Sequence, residues 1–309
     1  MKVEKVKNAD IKAPKQCTGS KFETLPHLPY LGLAMAVGKR NSGKTCAITN
    51  LFRMFKEDKN QPFRILLVSA TANSNYILMD DLGIHEEDIF DPKDLQTPYL
   101  IEAIINEERD DLIRYYKELE QREMLMKIIK HTKYELTEDL DPEFLVWYNP
   151  ETDKFRMPEH AYNGKKVAIL VLIDDAQNSH LFTQRKFLNL AIKNRHLGGF
   201  PRDVQENPKT KHLGSAMGGF FYLCVQNYSC AQGGIPKAIR GNISQMFLFK
   251  TASEKELDNI RLELAGEMSE EVFNSAYEYA TKEKHCFLTI DMDKKKHHPS
   301  KYRKCFNEF

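Results

Sequence analysis

The sequence lacks any apolar run long enough to cross a membrane. Its longest, Leu31–Val37 and Val167–Ile173, fall far short of the ~20 residues a span requires. It also lacks an excess of either charge: 45 Lys and Arg stand against 44 Asp and Glu, for a formal net charge of +1. No global field therefore draws it to nucleic acid, and any such contact needs a local basic patch. The six cysteines (Cys17, Cys46, Cys224, Cys230, Cys286 and Cys305) show no paired metal-ligand spacing and no tight disulfide framework. A reducing, cytosol-like compartment is expected. The Lys-rich N-terminus has no apolar stretch behind it, so no secretory signal is expected. What remains is a chain of 309 residues, 41% hydrophobic and 29% charged, without internal repeats. That composition argues against wholesale disorder and is enough for one large α/β domain or a domain with an appendage.

Residues 1–30 are polar, basic and punctuated by proline, and are expected to form an arm. Leu31–Val37 predicts a buried strand that ends at Gly38, and a helical pattern from Lys44 puts Ile48, Leu51, Phe52 and Phe55 on one face. Arg64–Ala70 predicts a second strand. Residues 80–94 carry seven acidic groups and one lysine, which predicts a solvated segment. From Tyr99 to about His131 runs a long amphipathic pattern free of Gly and Pro. With the Pro-rich stretch that holds the only tryptophan, Trp147, it is expected to form a mainly helical insertion over 99–162. Val167–Ile173 predicts a strand covered on both faces. A helix over 180–196 and a Gly/Pro-rich loop over 198–219 follow. Further strands are expected at Phe220–Val225, Met246–Phe249 and Cys286–Ile290, with helices at 253–265 and 269–282. Strands alternating with helices imply a mainly parallel sheet in a core of residues 31–291, followed by a basic tail over 292–309.

The strongest chemical signal is Gly38-Lys39-Arg40-Asn41-Ser42-Gly43-Lys44-Thr45, the pattern G-x-x-x-x-G-K-[ST] between an apolar strand and an amphipathic helix. The glycines let the backbone curl so that successive N–H groups face phosphate oxygens, and the helix adds its N-terminal partial charge. Lys44 would reach the outer phosphates of ATP, and the Thr45 hydroxyl would ligate Mg²⁺. The third strand ends in Asp174-Asp175, and ligands of open α/β sheets bind at carboxyl ends of strands. Asp174 is placed to hold Mg²⁺ through water, and Asp175 to orient and deprotonate the attacking water. A complete strand, Arg64–Ala70, separates the phosphate-loop strand from the carboxylate strand in sequence. That fits the additional-strand, RecA-like class of P-loop NTPases, in which a fourth strand lies beside the first and carries a polar sensor. Gln226 directly follows such a strand.

The phosphate loop GKRNSGKT, the strand VLIDDA, the later NRH (Asn194–His196), Gln226 and IPKAIRGN (Ile235–Asn242) resemble, in this order, the FtsK/HerA superfamily. The nearest likeness is to genome-packaging ATPases of poxviruses, giant viruses and virophages. The segment EKHCFLTID (Glu283–Asp291) resembles the closing strand of that group. The likeness spans roughly residues 30–291 and leaves the long 99–162 insertion unmatched. It implies an ATP-driven translocase of double-stranded DNA that packages a viral genome. It also implies a ring of five or six subunits, a capsid or portal-vertex partner, no membrane, and a location in the host cytoplasm, viral factory or virion. In such rings a neighbour inserts an arginine into the active site. Arg195 is the first candidate, about twenty residues beyond the carboxylates, with Arg240 and Arg202 in reserve.

For DNA contact the sequence offers KKKHHPSKYRK at 294–304 and the basic loop around Arg202, Lys209, Lys211 and His212. The Tyr115/Tyr116 pair stands at helical spacing and is expected to pack rather than stack on bases. Two other functions compete. A nucleoside or nucleotide kinase would need a lid with several arginines, whereas the arginines here are scattered. A nucleotide-dependent switch would hydrolyse slowly and ignore DNA.

Overall fold

The computed structural model describes residues 32–57, 60–71, 80–131, 146–149, 154–177, 179–229, 234–251, 253–264, 269–292 and 301–308. In chain order they form β1 (Gly32–Val37), α1 (Lys44–Lys56), β2 (Phe63–Ser69), β3 (Ile89–Phe90), α2 (Thr97–His131), β4 (Tyr148–Asn149), β5 (Lys154–Phe155), β6 (Ala168–Asp174), α3 (Arg185–Ile192), α4 (Arg202–Glu206), β7 (Phe220–Val225), α5 (Lys237–Arg240), β8 (Gln245–Phe249), α6 (Glu254–Leu264), α7 (Glu270–Thr281), β9 (Phe287–Asp291), β10 (Tyr302–Lys304) and β11 (Asn307–Glu308). The arm expected at 1–30 lies outside the described residues, apart from which the first strand begins one residue beyond its expected start.

All but β4 and β5 join one nine-stranded sheet in the order β11-β10-β9-β8-β1-β7-β6-β2-β3. From β3 to β8 neighbouring strands run parallel. Beyond β8 the strands alternate in direction. The central strands are apolar throughout because each feeds two layers. Leu33, Met35 and Val37 of β1 face one core with Val171 and Ile173 of β6, and Ala34 and Ala36 face another with Leu170 and Leu172. Helix α1 buries Ile48, Leu51, Phe52 and Phe55 in the second core. Helices α2, α3, α5, α6 and α7 cover the opposite face, through residues such as Ile105, Leu190, Ile239, Ile260 and Phe273. The result is the expected mainly parallel sheet between helices, with β7 inserted between β1 and β6.

Several expectations change in detail. The acidic stretch at 80–94 is not simply solvated. Its β3 pairs with β2, and Asp88 is buried against Arg64, whose guanidinium also reaches Glu108 on α2 at 2.8 Å. A run of acids can be buried in part when one arginine neutralises two of them at once. Within the expected 99–162 insertion, α2 serves two cores. The first half of α2 lies in the main core through Ile101, Ile105 and Leu112, whereas Leu125 and Ile129 pack with Tyr148 of the β4–β5 hairpin. Residues 132–145 lie outside the described set.

The helix expected at 180–196 is three pieces: a 3-10 turn at Leu181–Thr183, α3, and a 3-10 turn at Asn194–His196. Gln184 between the first two is extended, with ψ 125, so hydrogen bonding restarts at Arg185. The 198–219 loop contains α4 and a 3-10 turn at Lys211–Leu213. The terminal basic stretch contributes β10 and β11 to the sheet, with Arg303 fully buried 3.5 Å from Asp291. Residues 293–300 lie outside the described set.

Candidate nucleotide site

The phosphate loop joins β1 to α1 at the carboxyl end of the parallel strands. Its curl demands unusual backbone geometry: Asn41 has φ 62 and Gly43 has φ 97. At Gly38 the constraint is space, since an added Cβ would stand 2.6 Å from the Cβ of Phe249 and 2.9 Å from Ser42 Oγ. The Gly38 N–H donates to the Val225 carbonyl at 3.2 Å, and Ser42 N–H closes the turn on the Lys39 carbonyl at 3.2 Å. The loop is thus pinned to the end of β7 before it turns into the helix.

Lys44 is buried, and its ammonium donates to the carbonyls of Gly38 at 2.8 Å and Lys39 at 3.0 Å. Burial lowers its pKa, opposed by the nearby Cys224, Asp174 and Asp175. Thr45 Oγ1 donates to Asp174 Oδ2 at 2.8 Å. Asp174 is itself buried at the end of β6, and burial raises its carboxyl pKa against the pull of the Thr45 hydrogen bond. Asp175 follows with φ 52, in the left-handed region that few residues with side chains adopt, and is exposed. Gln226 is exposed at the end of β7, and its neighbour's N–H, that of Asn227, donates to Gln177 Oε1 at 3.2 Å.

These groups converge on one cavity of about 430 Å³, lined by Arg40–Cys46 together with Asp174, Asp175 and Gln226. The structure therefore brings together Arg40, Asn41, Ser42, Gly43, Lys44, Thr45, Asp174, Asp175 and Gln226. Gly38 and Lys39 contribute the carbonyls that hold Lys44. Three neighbours escaped the sequence reading. Thr71, just past β2, lines the cavity. Cys224, opposite Asp174 in register, is buried beside it. His285 touches the loop from the turn before β9. Thr71 could have been suspected as a hydroxyl at the carboxyl end of a parallel strand; the other two depend on strand order.

Among the described residues no group of three His, Cys, Asp or Glu side chains could hold a metal by itself. The hydroxyl of Thr45 and carboxylate of Asp174 are adjacent oxygen donors. That suits a hard cation such as Mg²⁺, which keeps few protein ligands and completes its shell with water and phosphate oxygens.

Arg195 is not at this cavity. Its turn is anchored by the Gly219 N–H, which donates to the Asn194 carbonyl at 2.8 Å. Gly219 immediately precedes β7, so this anchor marks the amino end of the strand. The length of β7, roughly 17 Å at ~3.3 Å per residue, separates it from the phosphate loop. Arg240 pairs with Glu263 at 3.1 Å and lies 5.0 Å from the Tyr228 ring, with a side chain only 13% exposed. Arg202 is exposed and pairs with Glu206 on its own helix. The basic loop is fastened to α2: Lys209 pairs with Glu123, and His212 lies 3.0 Å from Tyr116 Oη. Tyr115 and Tyr116 pack edge to face at 5.5 Å, and Tyr116 Oη donates to the Gly164 carbonyl.

A phosphate loop between β1 and α1, with β7 separating β1 from the carboxylate strand β6, defines a P-loop NTPase fold of the additional-strand class. Among solved structures the chain is similar to the genome-packaging NTPase B204 of Sulfolobus turreted icosahedral virus 2. With AMPPCP bound, the identity is 11% and the TM-score 0.44, over 86% of this chain and 95% of that one. With ATP-gammaS the values are 12% and 0.43, over 86% and 94%. The DNA-packaging ATPase B204 from Sulfolobus turreted icosahedral virus gives 12% and 0.38, over 85% and 93%. No protein-family model matches the chain, and no curated protein does.

Proposed function

We propose that the protein is an ATP-hydrolysing motor that translocates double-stranded DNA, and that it packages a viral genome. The observation that carries the hydrolytic part is the single cavity in which Lys44, the Thr45–Asp174 pair, Asp175 and Gln226 converge. Lys44 neutralises charge on the outer phosphates, and its carbonyl partners are exchanged for phosphate oxygens when nucleotide binds. Thr45 and Asp174 would hold Mg²⁺, which would supply charge neutralisation at the phosphates. Asp175 takes the proton of the attacking water, and Gln226 touches that water or the terminal phosphate.

The DNA-translocating part rests on the ordered likeness of GKRNSGKT, VLIDDA, NRH, Gln226 and IPKAIRGN to the FtsK/HerA superfamily. The position of Arg195 is in keeping with a homo-oligomeric ring. Lying about a strand's length from its own phosphate loop, Arg195 is assigned to a neighbour's site, where such a group is worth ~10³–10⁵ in rate. Arg240, engaged by Glu263 and Tyr228, and Arg202, paired within its own helix, stand in reserve for the same role. A capsid or portal-vertex protein completes the proposed assembly in the host cytoplasm or viral factory.

The test is ATP hydrolysis by the purified full chain with and without linear double-stranded DNA, followed by a strand-displacement or triplex-displacement assay. Stimulation by DNA with displacement supports the motor. Phosphoryl transfer to a nucleoside acceptor with DNA-insensitive turnover would replace it with a kinase.

A further inference from the structure

The turn between α7 and β9 carries a histidine that touches the phosphate loop. His285 Nδ1 lies 3.1 Å from the Ser42 carbonyl oxygen. A carbonyl can only accept, so Nδ1 carries the proton and donates. The same side chain closes over the next residue: a Cβ added to Gly43 would stand 3.0 Å from Nδ1 and 3.2 Å from the His285 Cβ. Gly43 is therefore required twice, by its φ of 97 and by the ring beside it.

The turn is itself held in an uncommon shape. His285 has φ 67, left-handed backbone that residues with side chains seldom adopt and that gathers where structure is over-determined for a purpose. Two ties to the C-terminal strand keep it there. Glu283 pairs with Lys304 at 2.6 Å, and the Cys305 N–H donates to the Phe287 carbonyl at 2.8 Å. The imidazole is thus delivered to the loop by a braced turn.

The consequence follows from peptide geometry. The Ser42–Gly43 peptide is trans and planar, so its C=O and N–H point in opposite directions. His285 lines a second cavity, of about 320 Å³, which shares Asn41 and Ser42 with the nucleotide cavity. Gly43 lines the nucleotide cavity and not the second one, so with the Ser42 oxygen held by His285 the opposed Gly43 N–H is left to the nucleotide cavity. We infer that His285 is a positioning residue for the phosphate chain of a nucleoside triphosphate, fixing the Ser42–Gly43 peptide so that the Gly43 N–H is presented to a phosphate oxygen. The inference rests on reading the 430 Å³ cavity as the nucleotide site.

The experiment compares the full-length chain with His285→Gly and His285→Asn. Glycine accepts the left-handed backbone but removes the donor. Asparagine tolerates that backbone and carries an amide nitrogen about where Nδ1 stands. Binding of ATP and of inorganic tripolyphosphate is measured by calorimetry, alongside steady-state hydrolysis and melting temperature. In His285→Gly both ligands are expected to weaken about tenfold, which corresponds to ~1.4 kcal/mol. KM should rise while kcat stays within about threefold, because the lost contact serves ground and transition states alike. His285→Asn should recover most of the affinity at a similar melting temperature.

Wild-type binding by His285→Gly overturns the inference. So does equal weakening in the glycine and asparagine variants, which would mark a purely structural turn. Loss of ATP binding with tripolyphosphate binding intact would also overturn it, moving His285 to the nucleoside. If the wild-type chain binds neither ligand, the nucleotide reading itself falls and the inference falls with it.

Discussion

Thr45 donates its hydroxyl hydrogen to Asp174 across 2.8 Å, which joins the first turn of α1 to the end of β6. Two groups proposed to share a cation thus already hold each other. The bond ties together two elements 129 residues apart in the chain.

That contact separates stability from activity at Asp174. Burial raises the Asp174 pKa, so its charge is held at some cost to the fold. Asp174→Asn should abolish Mg²⁺-dependent hydrolysis yet raise the melting temperature in metal-free buffer, by a few degrees for ~1 kcal/mol. Calorimetric melting with and without Mg²⁺ checks both halves. A lower metal-free melting temperature would show that the charge stabilises the fold after all.

Asp175→Asn should behave differently. Asp175 is exposed and outside the Thr45 contact, so nucleotide binding should survive while turnover falls by ~10²–10⁴. Near-normal hydrolysis in this variant would mean that another residue positions the water.

Lys44→Ala removes a buried ammonium that two loop carbonyls now occupy. Hydrolysis should drop at least ~10²-fold, as when one preorganised electrostatic group is lost, while circular dichroism stays native. Unchanged turnover in a folded variant would refute the assignment of the loop.

Arg195→Ala should still bind ATP, because nothing at its own cavity is altered, but should not turn over when every subunit carries the change. Mixing it with Lys44→Ala subunits should restore part of the activity, since some boundaries then pair an intact loop with an intact arginine. Mixed rings of verified composition that stay inactive, while a parallel mixture with Arg240→Ala recovers, would transfer the role to Arg240.

Away from the site, Arg64 holds β3 and α2 to the sheet through Asp88 and Glu108. Burial opposes its charge, but the hydrogen bonds it donates to Asp88 and Glu108 more than offset this and raise its pKa. Arg64→Leu strands two buried carboxylates and should destabilise the fold by about 3 kcal/mol in urea unfolding. Hydrolysis per folded molecule should be unchanged.

The phosphate loop, the carboxylates and six of the strands were legible because each is local. A glycine-bounded turn between an apolar run and an amphipathic run carries its own context, and β6 is apolar from Ala168 to Ile173 because both of its faces are covered. What was not legible depends on partners far along the chain. Nothing in the acidic run 80–94 reveals that Arg64 will bury Asp88. Nothing in KKKHHPSKYRK reveals that Arg303 will enter the sheet against Asp291. His285 reads as one more polar residue in a turn until β9 is placed two strands away from β1.

The place of β1 in the sheet also bears on how the molecule comes into being. Its two neighbours are β7 and β8, paired as Val37 with Val225 and Val37 with Leu248. A chain emerging from the ribosome exposes its phosphate-loop strand, apolar on both faces, until β8 has been made about two hundred residues later. Such long-range closure is slow and leaves sticky surface waiting for its partners. Recombinant production should accordingly favour low temperature and chaperone supply. Fragments ending before Phe220 should be found aggregated or degraded rather than weakly active.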